Sequence, residues 1–243
     1  SGLIIDNINP LFTERELKAQ LNDSGSETII IAENFASNLQ SILKETSIKN
    51  VLITSVGEFL GLKGIIINFV LRRIRKMVPK YSLPNAVNFK DAINIGAKHK
   101  FKEQKIDKED IAFLQYTGGT TGGVKAAILS HRNVLANAIQ VREWLGENLK
   151  FGEDLAICAL PLYHIFALTC NSVVYFYFGA NNILITNPRD IPGFIKILKK
   201  YKFTFISGVN TLFNKLLEDK NFKDCDFSKL NITIAGGMPV QKS

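Results

Sequence analysis

Short apolar runs alternate with helix-like patterns along most of this chain, and that alternation limits the folds that it can adopt. The apolar runs predict strands at 28–32, 51–54, 111–116, 126–129, 155–160, 183–186, 203–207 and 232–235. The segments between them predict helices at 35–43, 134–145, 166–178, 191–199 and 212–217. Strands that alternate with helices form parallel sheets covered by helices. The sequence therefore predicts an α/β fold with largely parallel sheets flanked by helices.

Three segments carry more specific structural predictions. Thr13 followed by Glu16 has the form of a capping box, so we expect the first helix to begin there and to run to about Asp23. The segment 166–178 is apolar on nearly every face, and we expect it to be buried on all sides. The partly charged stretch 79–108 contains prolines and is the least regular, which makes it a candidate boundary between sub-domains.

The composition is that of a globular protein. Of the 243 residues, 46% are hydrophobic and 21% are charged, which excludes disorder of the whole chain. Cys158, Cys170 and Cys225 are an odd number of cysteines, at spacings that fit neither a disulfide framework nor a zinc site. Cys158 and Cys170 lie in apolar runs and are expected to be buried. No signal-peptide pattern is visible, and a reducing, cytoplasmic compartment is the simplest expectation.

The net charge of +8 is concentrated in residues 59–90, which contain no acidic residue. Apolar residues recur there at three- and four-residue spacing and give 62–78 one apolar helical face, ending before Pro79. Such a helix could lie on an anionic membrane surface. Alternatively, its apolar face could pack on the domain core while its basic residues are solvated. The stretch is too short and too polar to cross a membrane, and no nucleic-acid-binding motif accompanies it, so we expect no nucleic-acid partner. The basic residues are Lys63, Arg72, Arg73, Arg75, Lys76, Lys80 and Lys90.

The strongest chemical signal is the segment 116–125, YTGGTTGGVK, directly after the predicted strand 111–116. Its glycines let backbone amides converge on one point, its threonines supply hydroxyls and Lys125 supplies a positive charge, which together suit a triphosphate. It is not a Walker A loop, because Val124 separates the lysine from the last glycine and Ala126 follows it. A loose glycine cluster would ordinarily be a flexible turn. Two Gly-Gly pairs around Thr-Thr, closed by lysine, favour phosphate binding instead.

This segment and the Ser130-His131-Arg132-Asn133 that follows it resemble the signature of the acyl-adenylate-forming synthetases, and in particular the bacterial long-chain fatty acid CoA ligases. The resemblance covers essentially the whole chain and includes NPL (9–11), PLYHIFA (161–167), NPRDIP (187–192), GVNTL (208–212) and GGMPVQ (236–241). It implies that residues 1–243 are part of the large N-terminal, ATP- and acyl-binding domain of such an enzyme. The small C-terminal catalytic domain would lie outside this chain.

The resemblance also implies roles for individual residues. The segment 117–125 would hold the β- and γ-phosphates of ATP, with Thr117 contributing to a Mg²⁺ site and Lys125 acting in catalysis. His164 matches the position whose ring borders the acyl carboxylate, although a lone histidine is more often a hydrogen-bonded structural residue. The 236–238 segment matches the lining of the adenine pocket and acyl tunnel. The implied cofactor-binding residues are Tyr116, Thr117, Gly118, Gly119, Thr120, Thr121, Gly122, Gly123, Val124, Lys125, Gly236, Gly237 and Met238.

The reaction implied by the resemblance has two steps. A long-chain fatty acid and ATP give acyl-AMP and pyrophosphate, and coenzyme A then gives acyl-CoA and AMP, with Mg²⁺ as metal.

This chain departs from the family pattern at three positions. The family usually has Pro or Ala where Val124 stands, and Gly at the positions of Ala126 and Ala235. The change at Ala126 is the one that most affects the expected affinity for ATP. The later glutamate and the C-terminal lysine of the family are not in this chain. We therefore expect the chain alone to bind ATP weakly and to form no thioester.

Two other functions remain open at this stage. One is a different carboxylate-adenylating ligase, acting on an aryl or amino acid. The other is a non-catalytic membrane-surface module in which 59–90 is the functional part. A cytoplasmic protein with a peripheral position on the cytoplasmic face of the inner membrane would suit either the enzyme or the module, and a homodimer is compatible with the family resemblance.

Overall fold

The chain forms two compact units in a computed structural model that describes residues 2–117, 124–237 and 239. One unit contains the residues up to 106 together with 112–128, and the other contains 107–111 together with the residues from 129 onward. The predicted segments 118–123 and Met238 lie outside the described residues. The predicted α/β class with largely parallel sheets is confirmed.

The first unit holds two three-stranded sheets, with strand orders β1-β5-β6 and β2-β3-β4. β2 pairs in parallel with β3, β3 with β4, and β1 with β5. Two described elements, β4 and α4, lie in the stretch that the sequence pattern left irregular. The strands are β1 (Ile5–Asp6), β2 (Thr28–Ala32), β3 (Asn50–Thr54), β4 (Val87–Asn88), β5 (Ile111–Thr117) and β6 (Lys125–Ser130). The helices are α1 (Glu14–Ser24), α2 (Ala36–Ile42), α3 (Gly61–Phe69) and α4 (Phe89–Gly96).

The core of the first unit lies between α1, α2 and the β2-β3-β4 sheet. It consists of Leu17, Leu21, Ile29, Ile31, Leu39, Ile42 and Val51. The predicted capping box is confirmed, because Thr13 accepts a hydrogen bond from the backbone of Glu16 while the Glu16 carboxylate accepts from the Thr13 backbone. α1 ends at Gly25, whose φ of 63° is the left-handed conformation that glycine adopts readily.

The second unit is built on a four-stranded sheet of order β10-β9-β7-β8, in which each neighbouring pair is parallel. The predicted strands at 183–186 and 203–207 form with shifts of about two residues. The strands are β7 (Leu155–Cys158), β8 (Asn181–Leu184), β9 (Phe205–Gly208) and β10 (Ile232–Ala235). The helices are α5 (His131–Leu145), α6 (Ile165–Ala167), α7 (Tyr175–Tyr177), α8 (Ile191–Leu198) and α9 (Asn210–Glu218).

Helices cover both faces of this sheet. One apolar cluster joins β7 and β9 to α8 and α9, with Phe194, Leu198, Phe203 and Leu216 at its centre. The other joins the sheet to α5 and to the helical segment that begins at α6. Because both faces of the sheet are buried, its strands read as continuous apolar runs rather than as alternating patterns.

The prediction that 166–178 is buried on all sides is wrong at its C-terminal end. The segment is helical, with a π-helix at Leu168–Val174 between α6 and α7. Tyr175 is fully buried against the Phe205 ring, but Phe176 is 86% exposed and Tyr177 is 44% exposed. The helix lies on one side of the sheet, so only one side of its last turn can reach the core.

Of the two alternatives for the apolar face of 62–78, packing on the domain core does not hold for α3. Leu62, Ile65 and Ile66 are 82%, 66% and 66% exposed. α3 instead packs through Gly64, whose backbone touches Gly57, and a π-helical turn (Val70–Ile74) continues it. Within the described residues, we find no helix with the length and apolar character needed to span a bilayer.

Candidate functional site

The strand β5 leads directly into the glycine- and threonine-rich segment. Its last residue, Thr117, is exposed, and residues 118–123 lie outside the described part of the chain. The Tyr116 hydroxyl donates a hydrogen bond of 2.6 Å to Asp23 Oδ2, in the last turn of α1. Burial and this hydrogen bond raise the pKa of Tyr116 well above its usual range, so the phenol keeps its proton.

The strand β6 begins where the segment ends. β5 and β6 are hydrogen-bonded neighbours in one sheet. Thr117 and Lys125 therefore belong to adjacent strands of the same unit, Lys125 with an exposed side chain and Val124 half-buried. An exposed ammonium and an exposed hydroxyl at the two ends of a glycine-rich connection suit a polyphosphate and its metal ion. The ligand roles of residues 116–125 stay predictions.

The Ser130-His131-Arg132-Asn133 motif that follows β6 has a structural use. Ser130 Oγ accepts a hydrogen bond of 3.2 Å from the backbone N–H of Asn133, and Asn133 Oδ1 accepts one of 2.9 Å from the backbone N–H of Ser130. This reciprocal pair is a capping box that starts α5 at His131. The motif thus starts the helix after the phosphate-loop candidate.

In the second unit, His164 and Gly236, which the resemblance places beside the acyl and adenine groups, follow parallel strands, as does Val209 of the GVNTL segment. His164 follows β7, Val209 follows β9 and Gly236 follows β10. The carboxyl ends of parallel strands meet at one edge of a sheet, which is where α/β proteins bind their ligands. The sheet order β10-β9-β7 places the three loops side by side.

Contacts hold these loops together. A Cβ atom added to Gly236 would lie 3.0 Å from Phe166 Cζ, so that the Phe166 ring occupies the space beside this glycine. The backbone N–H of Gly236 donates to the Gly208 carbonyl at 3.2 Å. Gly237 has a φ of 79°, a left-handed conformation that few side chains tolerate, and a Cβ there would meet Val209 at 3.6 Å.

His164 caps α6. Its Nδ1 accepts a hydrogen bond of 3.3 Å from the backbone N–H of Phe166, and its side chain is exposed. With Nδ1 used as an acceptor, the neutral ring carries its proton on Nε2 and presents a donor outward. The cap positions the ring, whereas its role beside an acyl carboxylate stays a prediction.

A buried amide anchors the helical segment that follows His164. Asn171 is fully buried in the π-helix; its Nδ2 donates to the Ile157 carbonyl at 3.4 Å and its Oδ1 accepts from Ser207 Oγ at 2.6 Å. Asn182 in β8 donates to the Asn171 backbone carbonyl at 2.7 Å. These bonds tie the segment to β7, β8 and β9. Sequence analysis missed Asn171, whose signal was one amide inside an otherwise apolar run.

The three cysteines are all free thiols. Burial raises the pKa of Cys158 to about 11, and it also raises the pKa of Cys170 and Cys225. Thiolate chemistry at neutral pH is therefore disfavoured at these positions. Among residues 2–117, 124–237 and 239, no cluster of three or more His, Cys, Asp or Glu side chains could hold a metal ion.

The family profile described as AMP-binding enzyme matches residues 1–243. The chain belongs to the AMP-binding enzyme family. Among its relatives in the family is a long-chain-fatty-acid–CoA ligase of Salmonella typhimurium, 51% identical over 242 residues. The corresponding ligase of Haemophilus influenzae is 49% identical over 248 residues. The alignments cover 99% and 100% of this AMP-binding chain but 43% and 44% of those ligases, so it spans less than half their length.

Solved structures of CoA ligases share the fold. An anthranilate CoA ligase in complex with anthranoyl-AMP superposes with a TM-score of 0.76 at 18% identity, over 98% of this chain and 41% of that one. A long-chain-fatty-acid-CoA ligase from Archaeoglobus fulgidus gives 0.72 at 24% identity, over 97% and 41%. At these identities the superpositions establish the shared fold.

Proposed function

We propose that the protein containing this chain activates a long-chain fatty acid with ATP, forming acyl-AMP and then acyl-CoA. The observation that carries the proposal is the 51% identity, over almost the whole chain, to a long-chain-fatty-acid–CoA ligase. In the first unit, Thr117 ends β5 and Lys125 begins β6; in the second unit, His164 and Gly236 follow the carboxyl ends of β7 and β10. The carboxyl ends of parallel strands are where α/β proteins bind ligands, which supports the proposal for Thr117, His164 and Gly236.

Each side chain has a defined task in this proposal. Lys125 offsets the negative charge of the β- and γ-phosphates, while Thr117 supplies a hydroxyl to Mg²⁺. Mg²⁺ held there would neutralise charge on the pyrophosphate leaving group. His164 directs its Nε2 proton to the acyl carboxylate and so orients it. Since these groups position and neutralise charge, catalysis is electrostatic rather than covalent.

The proposal is tested by pyrophosphate release from the full-length protein with a panel of carboxylic acids. Long-chain fatty acids should react, and aryl and amino acids should not. Preference for an aryl or amino acid would favour the alternative, a different carboxylate-adenylating ligase. Lys125→Ala should lower kcat/KM for ATP by about 100-fold. Lys98→Ala removes an exposed lysine of the same unit and should leave the rate unchanged.

A second proposal concerns location: the protein is cytoplasmic and binds the cytoplasmic face of the inner membrane through α3. The supporting observation is that α3 directs its apolar side chains outward. Gly64 and Asn68 face the protein body, where Asn68 Oδ1 accepts from the Gly57 N–H at 2.8 Å and its Nδ2 donates to Ser55 Oγ at 2.9 Å. Leu62, Ile65, Ile66 and Phe69 are exposed.

Basic side chains accompany this exposed face. Lys63, Arg73, Arg75 and Lys76 are exposed around it, whereas Arg72 is held by Glu33. Apolar groups for the acyl region next to cations for anionic headgroups are the features of an interfacial helix. Residues 59–90 carry basic side chains and no acidic one, which favours an anionic lipid surface over another protein as the partner.

Vesicle sedimentation of the full-length protein tests this location. Binding to phosphatidylglycerol-containing vesicles should exceed binding to phosphatidylcholine vesicles and should weaken with salt. Ile65→Ser with Ile66→Ser should reduce binding by about tenfold or more. Ile30→Ser changes an equally apolar, 56% exposed side chain on β2 and should not. Equal binding of both variants would contradict the role of α3. The homodimer stays a prediction, which sedimentation equilibrium would test.

A further inference from the structure

Asp23 lies where an α-helix does not favour a carboxylate. It is in the last turn of α1, where the helix dipole places partial negative charge and where no basic side chain compensates. A second carboxyl group, Asp6, is near; burial raises the pKa of Asp6, and the charge of Asp23 adds to that effect. Neither the helix nor this neighbour accounts for an aspartate at position 23.

The partner of Asp23 is Tyr116, 93 residues further along the chain. The Tyr116 hydroxyl donates a hydrogen bond of 2.6 Å to Asp23 Oδ2. Asp23 is exposed and Tyr116 is half-buried, so the bond restrains the geometry of the Tyr116 side chain. The Tyr116 side chain is therefore held at the penultimate position of β5.

A second contact joins α1 to β1, the strand that pairs with β5. Gln20 is one helical turn before Asp23 and so lies on the same side of α1. Its Nε2 donates to Asp6 Oδ1 at 2.6 Å and to the Asn7 carbonyl at 3.2 Å. Asp6 lies in β1, opposite Leu114 of β5. α1 thus holds the middle of β5 indirectly, through β1, and its end directly, through Tyr116.

We propose that Asp23 is a positioning residue for the nucleotide, acting through Tyr116 to fix Thr117 where β5 ends. This inference rests on the proposed ATP-dependent function. Asp23 itself does not touch the nucleotide. Because Thr117 is covalently next to Tyr116, rotation of the Tyr116 backbone would redirect the Thr117 hydroxyl. Small displacements of positioned groups cost large factors in rate or binding.

Steady-state kinetics of the full-length protein test the inference. Asp23→Ala and Tyr116→Phe should each raise KM for ATP about tenfold, with less than about a twofold change in KM for the fatty acid. The double variant should be no worse than either single variant, because both remove one hydrogen bond. Asp23→Asn should recover part of the loss, since its amide oxygen still accepts from Tyr116.

The control is Glu45→Ala, which removes the ion pair between Lys18 of α1 and Glu45. It should leave KM for ATP unchanged. An unchanged KM for ATP in active Asp23→Ala protein, or multiplying effects in the double variant, would overturn the positioning role. So would equal losses for both substrates that follow the melting temperature. A wild-type protein that releases no pyrophosphate with any fatty acid contradicts the proposed function instead.

Discussion

Arg72 and Glu33 form an ion pair that attaches the basic segment after α3 to the first unit. Arg72 Nε donates to both carboxylate oxygens at 3.0 Å, and its Nη2 lies 2.8 Å from Glu33 Oε2. The Glu33 side chain is 4% exposed and that of Arg72 is 49% exposed. A cation from the predicted membrane-binding stretch thus neutralises a buried carboxylate.

Arg72→Ala should destabilise the chain by about 2 kcal/mol, because it leaves the buried Glu33 carboxylate without its cation. The value is below that of a fully buried pair because Arg72 is half exposed. Urea unfolding measures the change. Arg73→Ala, which removes a neighbouring exposed cation, should cost less than about 0.5 kcal/mol. Equal costs for the two variants would show that the ion pair adds nothing to stability.

Gly64→Ala should destabilise the chain by about 2 kcal/mol or more, although alanine normally stabilises a helix interior. The new Cβ would lie 1.7 Å from the Gly57 carbonyl oxygen, so α3 would have to move away. Gly96→Ala is the matched control in α4, with nothing within 4 Å of the added Cβ. It should stabilise by about 0.4–1 kcal/mol, as thermal unfolding would show.

Asp6→Asn should stabilise the chain at neutral pH. Burial raises the pKa of Asp6 above its usual value, so the folded state binds this proton more tightly than the unfolded state does. The stability linked to Asp6 is therefore present at acid pH and is lost as pH rises through the folded-state pKa. The difference in free energy of unfolding between Asp6→Asn and wild type, measured by urea unfolding, should narrow as the pH is lowered from 7 into the acid range. A difference that is constant with pH would contradict this linkage.

Cys158 should react slowly with iodoacetamide in the folded protein. With its pKa raised to about 11, it has about 100-fold less thiolate at pH 8 than the same thiol in unfolded chains. Peptide mass spectrometry before and after urea addition would measure the labelling of each cysteine. Rapid labelling of Cys158 in folded protein would mean that the thiol is accessible and ionised.

Local sequence patterns predicted most of the secondary structure. Thr13 and Glu16 predicted the start of α1, and apolar runs predicted β2 and β10 at their observed positions. The short strands β1 and β4 were missed, because two residues are too few to form a recognisable pattern. The apolar face of α3 was found from its spacing. The direction in which this face points could not be predicted. The spacing of apolar residues shows that a helix has an apolar face, but it does not show whether protein or solvent lies next to that face.

In the candidate site, too, some residues could be predicted from the sequence and others could not. The glycine- and threonine-rich segment and Lys125 were recognisable because their chemistry lies in consecutive residues, whereas His164 was singled out only by the family resemblance. Asp23 and Asn171 were missed, because their importance depends on Tyr116 and Ser207, which are distant in the chain. A carboxylate in the last turn of α1 was a weak signal, since the helix dipole disfavours it.

The order of strands and helices, the glycine-rich connection and the charge of 59–90 follow from the amino-acid sequence, because each depends on neighbouring residues. The outward face of α3, the cap on His164 and the bond between Asp23 and Tyr116 depend on folding. Residues up to 93 positions apart must first meet, and the contacts of Gly64, Asn68 and Arg72 with the protein body leave the apolar face of α3 exposed.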